Sequence, residues 1–196
     1  MEKIYLIMNK PCGYVCSAVS DSHKTVYELL TEDLRALVQG AKRGQRLHTV
    51  GRLDSDTSGL LLFTTDGNFS HEITALSKIA KTYRAALATP VTAGQQREYK
   101  ERAALGLTLP AEKKFGEQEC EPALLNFLSQ TLCEVTIYEG KFHEVRRIFR
   151  ALGNEVTELE RIAIGGLKLP AELKPGEWRP LSKEEKESLY SHQQDC

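Results

Sequence analysis

The chain alternates short apolar runs with stretches whose apolar residues recur at helical spacing. The run at 4–8 stops at Asn9-Lys10-Pro11. Proline can neither extend a central strand nor donate a backbone hydrogen bond, so a strand and then a turn are predicted. Thr25 and Glu28 are spaced as a capping box. Val26, Leu29, Leu30, Leu34, Leu37 and Val38 then fall at helical intervals, which predicts a helix reaching Gly40. The run 60–63 after Gly59 reads as a buried strand. Asp66-Gly67 reads as a turn, with Asn68 capping a short helix that bears Phe69, Ile73 and Leu76.

Further along, 81–87 reads as a strand with Tyr83, Ala85 and Leu87 on one face. Thr92 caps a charged, solvated helix to about residue 105, and 110–122 reads as a variable surface loop without chemistry. Residues 132–138 alternate, with Cys133, Val135 and Ile137 on one side. At 100° per residue, a helix over 142–152 gathers Phe142, Val145, Phe149 and Leu152 on one face and His143, Arg146, Arg147 and Arg150 on the other. Gly153-Asn154 ends it and 156–164 returns as a strand. Ser182 and Glu185 cap a last short helix, and the residues from Ser191 to Cys196 are expected to fray.

Composition adds bounds. A chain of 196 residues, 41% hydrophobic and 27% charged, supports one substantial core, so a single domain over 1–196, two-lobed at most, is expected. No apolar run reaches the roughly 18 residues of a membrane span, and the start is strand-like rather than a signal peptide, so a cytoplasmic protein is expected. Five cysteines, Cys12, Cys16, Cys120, Cys133 and Cys196, are odd in number and lack a paired Cys-x-x-Cys arrangement. Reduced thiols are expected, with no metal site, and Cys12 and Cys16 read as small loop residues. The net charge of −1 argues against a surface that coats nucleic acid indiscriminately. Between 141 and 150, however, Lys141, Arg146, Arg147 and Arg150 stand against Glu144 alone, and with His143 they point to binding of RNA phosphates over an ordinary solvated face.

The densest candidate chemistry lies at 49–67. Arg52, Asp54 and Asp56 precede a buried strand and are bracketed by Gly51 and Gly59, whose backbones permit close approach. Lys42, Arg43, Arg46 and His48 lead into it, either as a solvated basic loop or as RNA-backbone contacts. Lys10, where the first strand releases into a glycine-containing loop, is either a phosphate or site-wall contact or a solvated lysine.

The segment Gly51-Arg52-Leu53-Asp54-Ser55-Asp56-Thr57-Ser58-Gly59-Leu60-Leu61-Leu62-Phe63-Thr64 resembles the signature of the RsuA-type pseudouridine synthases, which isomerise uridine in ribosomal RNA. The resemblance extends through Asn9-Lys10-Pro11-Cys12-Gly13-Tyr14-Val15-Cys16-Ser17, Lys81-Thr82-Tyr83, Glu139-Gly140-Lys141-Phe142-His143-Glu144-Val145-Arg146-Arg147, Ile164-Gly165-Gly166 and Pro175-Gly176-Glu177-Trp178-Arg179-Pro180-Leu181. It implies an α+β fold with a central mixed, largely antiparallel sheet flanked by helices and an active-site cleft. Because the Lys-Pro-x-Gly segment begins at Lys10, the family's small N-terminal S4-type domain is expected to be missing.

The resemblance also implies roles. Asp54 is the essential aspartate, Tyr83 lies against the target base, and Arg146 is the basic residue that keeps Asp54 ionised, since an unpaired buried carboxylate costs several kcal/mol, roughly. Arg52 holds RNA or fills the gap left by a flipped base. Lys10, Lys81, Lys141, His143, Arg147 and Arg150 are the expected RNA contacts. The expected partner is ribosomal RNA or a ribosomal subunit precursor, met by a monomer without cofactor, metal or membrane. The stretch 140–181 is most like members acting on small-subunit RNA, with a large-subunit target as the alternative. More remote alternatives are a hydrolase using Asp54 and Asp56 as paired acids and a noncatalytic RNA-binding module.

Overall fold

A computed structural model describes residues 2–40, 42, 44–76 and 78–191; Arg43, the side chain of Leu76, and the tail after Ser191 with Cys196 lie outside the described residues. The chain divides into two compact units, residues 1–79 with 163–196, and residues 80–162.

In the first unit, β1 (Tyr5–Lys10) is followed by the short β2 (Tyr14–Val15) and β3 (Lys24–Thr25), which pair in parallel. The capping box at Thr25 and Glu28 forms, but it starts only a 3-10 turn, Val26–Leu29. Leu30 is extended and Thr31 begins a separate helix, α1 (Glu32–Gln39), so the single helix predicted here is two pieces. The break has a tertiary cause: the Leu29 carbonyl accepts from Trp178 Nε1 at 3.0 Å. Next come β4 (His48–Thr49) and β5 (Thr57–Thr64). β5 pairs antiparallel with both β4 and β1, and Lys10 lies opposite Gly59.

Both faces of β5 are covered, which explains its unbroken apolar run. Leu60 and Leu62 join Ile7, Val50 and Ile73 in one core, while Phe63 meets the Tyr27 ring edge-on at 5.6 Å. Asp66, not Asn68, caps α2 (Gly67–His71), because its carboxylate accepts from the Asn68 and Phe69 amides; a π-helical segment, Glu72–Leu76, continues it.

The second unit contains β6 (Lys81–Leu87), α3 (Ala93–Ala104), β7 (Thr108–Leu109), β8 (Gln118–Glu119), β9 (Leu124–Phe127), β10 (Leu132–Ile137), α4 (Glu144–Ala151) and most of β11 (Val156–Ile164). Its main strands run in the order β11-β6-β10-β9, with β6 and β9 antiparallel to β10. Thr92 caps α3 as predicted. That helix is more than a solvated connector, since Tyr99 and Ala103 are buried beneath it. Cys133, Val135 and Ile137 all point inward from β10. The stretch predicted as a plain loop holds β8 and a tight hairpin in which Glu112 and Phe115 bridge.

The chain returns to the first unit along β11, whose end pairs with β12 (Leu167–Lys168). β13 (Trp178–Pro180) then pairs with β1, and α5 (Lys183–Ser188) follows its predicted capping box. Gly165 and Gly166 are required here: a Cβ on Gly165 would lie 1.9 Å from the Leu189 carbonyl oxygen, and one on Gly166 would lie 2.7 Å from that of Ser188.

Candidate active site

In the first unit, Asp54 sits on a turn whose backbone is held from several sides. Thr57 N–H donates to the Asp54 carbonyl at 3.1 Å, closing the turn into β5. Lys10 is fully buried, 0% exposed, and its ammonium donates to the carbonyls of Asp54 at 3.0 Å, Thr57 at 2.7 Å and Pro11 at 3.1 Å. Gly13, at φ +87°, donates its N–H to the Ser55 carbonyl at 2.7 Å. Cys16 brackets Leu53: its sulfur accepts from the Leu53 amide at 3.4 Å and donates to the Leu53 carbonyl at 3.5 Å. The segment after β1 is therefore a clamp on residues 53–57. Gly51 (φ +70°) and Gly59 (φ +101°) adopt left-handed backbone at either end, as the sequence suggested.

This geometry corrects two expectations. Lys10 is enclosed rather than open to solvent or to a phosphate, because its ammonium is spent on three carbonyls. Burial lowers its pKa below the ordinary lysine value, against the opposing charges of Cys16, Cys12, Asp54 and Asp56. Cys16 is not simply a small loop residue but part of the clamp. Asp54 is half-buried, while Asp56 and Arg52 are exposed.

In the second unit, Tyr83 projects inward from β6 and is 8% exposed, opposite Val135. Burial and the charge of Arg161 push the Lys81 pKa down, with Glu144 opposing. Arg146, half-buried on α4, donates through Nη1 to the Val156 carbonyl at 2.9 Å. Lys141 pairs with Glu139. Its amide donates to the Glu144 carboxylate at 2.7 Å, just ahead of α4; burial raises the Glu144 pKa.

The basic stripe predicted for α4 is not the one that forms. Arg147 is 0% exposed, and its guanidinium donates to the carbonyls of Leu109, Pro110, Gly116 and Phe142 and to Gln118 Oε1. It holds the 109–118 segment against the helix and cannot contact RNA from there. His143 Nδ1 lies 2.8 Å from one Glu112 oxygen, and Arg150 Nη1 donates to the other at 2.8 Å. Phe142 stacks on both Phe115 and His143. The stretch expected to carry no chemistry thus supplies a carboxylate that offsets the stripe. Glu112 has an ordinary acid's spacing and no local sequence signal for this role. Among the described residues, no cluster of His, Cys, Asp or Glu could hold a metal, and no helix is long and apolar enough to cross a membrane.

A sequence model of the RNA pseudouridylate synthase family matches residues 4–151. This chain belongs to that family. It is 42% identical over 182 residues to the ribosomal small subunit pseudouridine synthase A of Escherichia coli (strain K12), covering 92% of this chain and 71% of that one. It is also 42% identical over 187 residues to the enzyme of the same name from Vibrio cholerae, covering 95% and 74%. A crystal structure of a pseudouridylate synthase superposes with a TM-score of 0.82 at 40% identity, over 96% of this chain and 74% of that one. The α+β fold class implied by the sequence resemblance is thereby established. Across the family match, the clamp from Lys10 to Cys16 and the turn at Asp54 lie in one continuous matched region.

Proposed function

We propose that this protein converts a specific uridine of small-subunit ribosomal RNA to pseudouridine, with Asp54 supplying the essential carboxylate. The observation that carries this reading is the 42% identity, over 92% of the chain, to an enzyme named for that reaction on the small subunit. The buried clamp that fixes the Asp54 backbone supports the choice of carboxylate.

The isomerisation breaks the bond from N1 of the base to C1′ of the sugar, turns the base, joins C5 to C1′ and releases the C5 proton to water while N1 gains one. Asp54 is suited to attack C1′, to stabilise positive charge developing on the sugar, or to remove a sugar proton. To Tyr83 we assign the face of the target base, since an unstacked base is recognised by stacking on an aromatic ring. To Arg146 we assign the balancing positive charge, and to the exposed Arg52 a hold on the RNA around a base that leaves the stack. Exposed cations such as Arg52 and Arg150 are better suited to phosphate contacts than Lys10 or Arg147, which are enclosed. On this reading the partner is ribosomal RNA, alone or in a subunit precursor, met by a monomer in the cytoplasm.

The test is to map pseudouridine in ribosomal RNA from cells lacking the gene and from cells complemented with wild type or Asp54→Asn. One small-subunit position should lose pseudouridine, regain it with wild type and fail to regain it with the variant. Loss confined to large-subunit RNA would overturn the target. Unchanged RNA mass separates isomerisation from hydrolysis, which would release a base.

A further inference from the structure

Cys16 stands apart from the other groups of the clamp. It is 7% exposed, and its sulfur engages both the amide and the carbonyl of Leu53, the residue immediately before Asp54. Leu53 is itself buried, so a backbone donor and acceptor that lost this sulfur would be stranded inside the protein. Lys10 and Gly13 hold carbonyls at Asp54, Ser55 and Thr57. The thiol grips the backbone at Leu53, immediately ahead of the aspartate. We propose that Cys16 is a positioning residue for the isomerisation: through its paired hydrogen bonds to Leu53, it sets the direction in which the Asp54 carboxylate leaves the backbone.

The chemistry of sulfur suits this role. A thiol both donates and accepts, and at 3.4 and 3.5 Å its bonds are longer than oxygen would make, so the large sulfur spaces Leu53 from the 12–16 segment while holding it. Valine would fill the volume without bonding. Serine would bond without filling the volume. The two substitutions therefore separate hydrogen bonding from packing.

This proposal rests on the reading that Asp54 performs the chemistry, and the experiment keeps the two apart. Full-length wild type, Cys16→Ser, Cys16→Val and Asp54→Asn are assayed on a small-subunit ribosomal RNA transcript carrying tritium at uridine C5, so that each turnover releases tritium to water. Cys16→Val is expected to lower kcat by about 10- to 100-fold, because displacing a reacting group by up to about 1 Å costs this much, with KM within about twofold of wild type. Cys16→Ser is expected to recover kcat to within about threefold. A packing role alone would reverse the order, with valine the milder change. Wild-type kcat in Cys16→Val, a loss expressed in KM, or a serine variant as slow as the valine one would each overturn the positioning role, provided Asp54→Asn is inactive. Sustained turnover by Asp54→Asn would overturn the assignment of Asp54, and this proposal with it. If Cys16→Val does not fold, the serine variant decides alone, and a loss of more than tenfold in its kcat counts against the proposal.

Discussion

Asp54 and Asp56 are two positions apart with the same side chain, yet their settings differ. Asp54 is half-buried on a backbone held by Lys10 and Thr57, and Asp56 is exposed. Asp54→Asn keeps the size and removes the charge and most of the nucleophilicity, so it should abolish pseudouridine formation while folding and RNA binding persist. Asp56→Asn should retain appreciable turnover. A general collapse of the loop would instead damage both, and tritium release from the two purified proteins distinguishes these outcomes. Arg146→Met removes the positive charge assigned to balance the carboxylate and should cut turnover severely; near-normal rates in that variant would refute the assignment. Lys10→Met belongs to a different class. It strands one buried and two part-buried carbonyls, so its first effect should be on stability, by about 2–4 kcal/mol, read as a lower denaturant midpoint.

At the scale of elements, the 109–118 segment and α4 form one construction. Arg147→Met should destabilise the protein by about 3 kcal/mol or more, because it leaves Gln118 and several carbonyls without their buried donor. A denaturant melt of the variant close to that of wild type would contradict the structural role. Glu112 gives a pH-dependent counterpart. Burial raises its pKa, but the hydrogen bond and charge of His143 and the charge of Arg150 outweigh this and hold it below the usual carboxylate value. A carboxylate whose pKa is depressed on folding contributes stability above its unfolded pKa and loses it as the pH falls through the folded value. Wild type should therefore be more stable than Glu112→Gln at pH 7, by about 1–2 kcal/mol, with the difference vanishing once the pH drops below the usual carboxylate range. Melts at pH 7 and pH 3 that differ by the same amount would refute this.

For the whole molecule, the net charge is −1, and of the expected basic contacts Lys10 and Arg147 are enclosed while Arg52 and Arg150 are exposed. RNA affinity should fall with salt at a shallow slope, about −2 to −4 in log K against log salt; a slope near −8 would require a basic surface that these residues do not supply. What the sequence determined by itself was what local physics and unbroken motifs carry: alternation gave β6 and β10, capping boxes started α3 and α5, and the signature through Asp54 marked the family. Its reading failed wherever a distant segment decided. The helix predicted through Leu30 breaks because Trp178, 149 positions away, takes the Leu29 carbonyl. Lys10 and Arg147 look like solvent-facing cations in a linear reading, yet both are buried on carbonyls from segments tens of residues away. A long cation can enter a protein interior only where the fold brings enough acceptors to one point. Periodicity records which side of an element a residue occupies, and only the tertiary structure decides what meets it there.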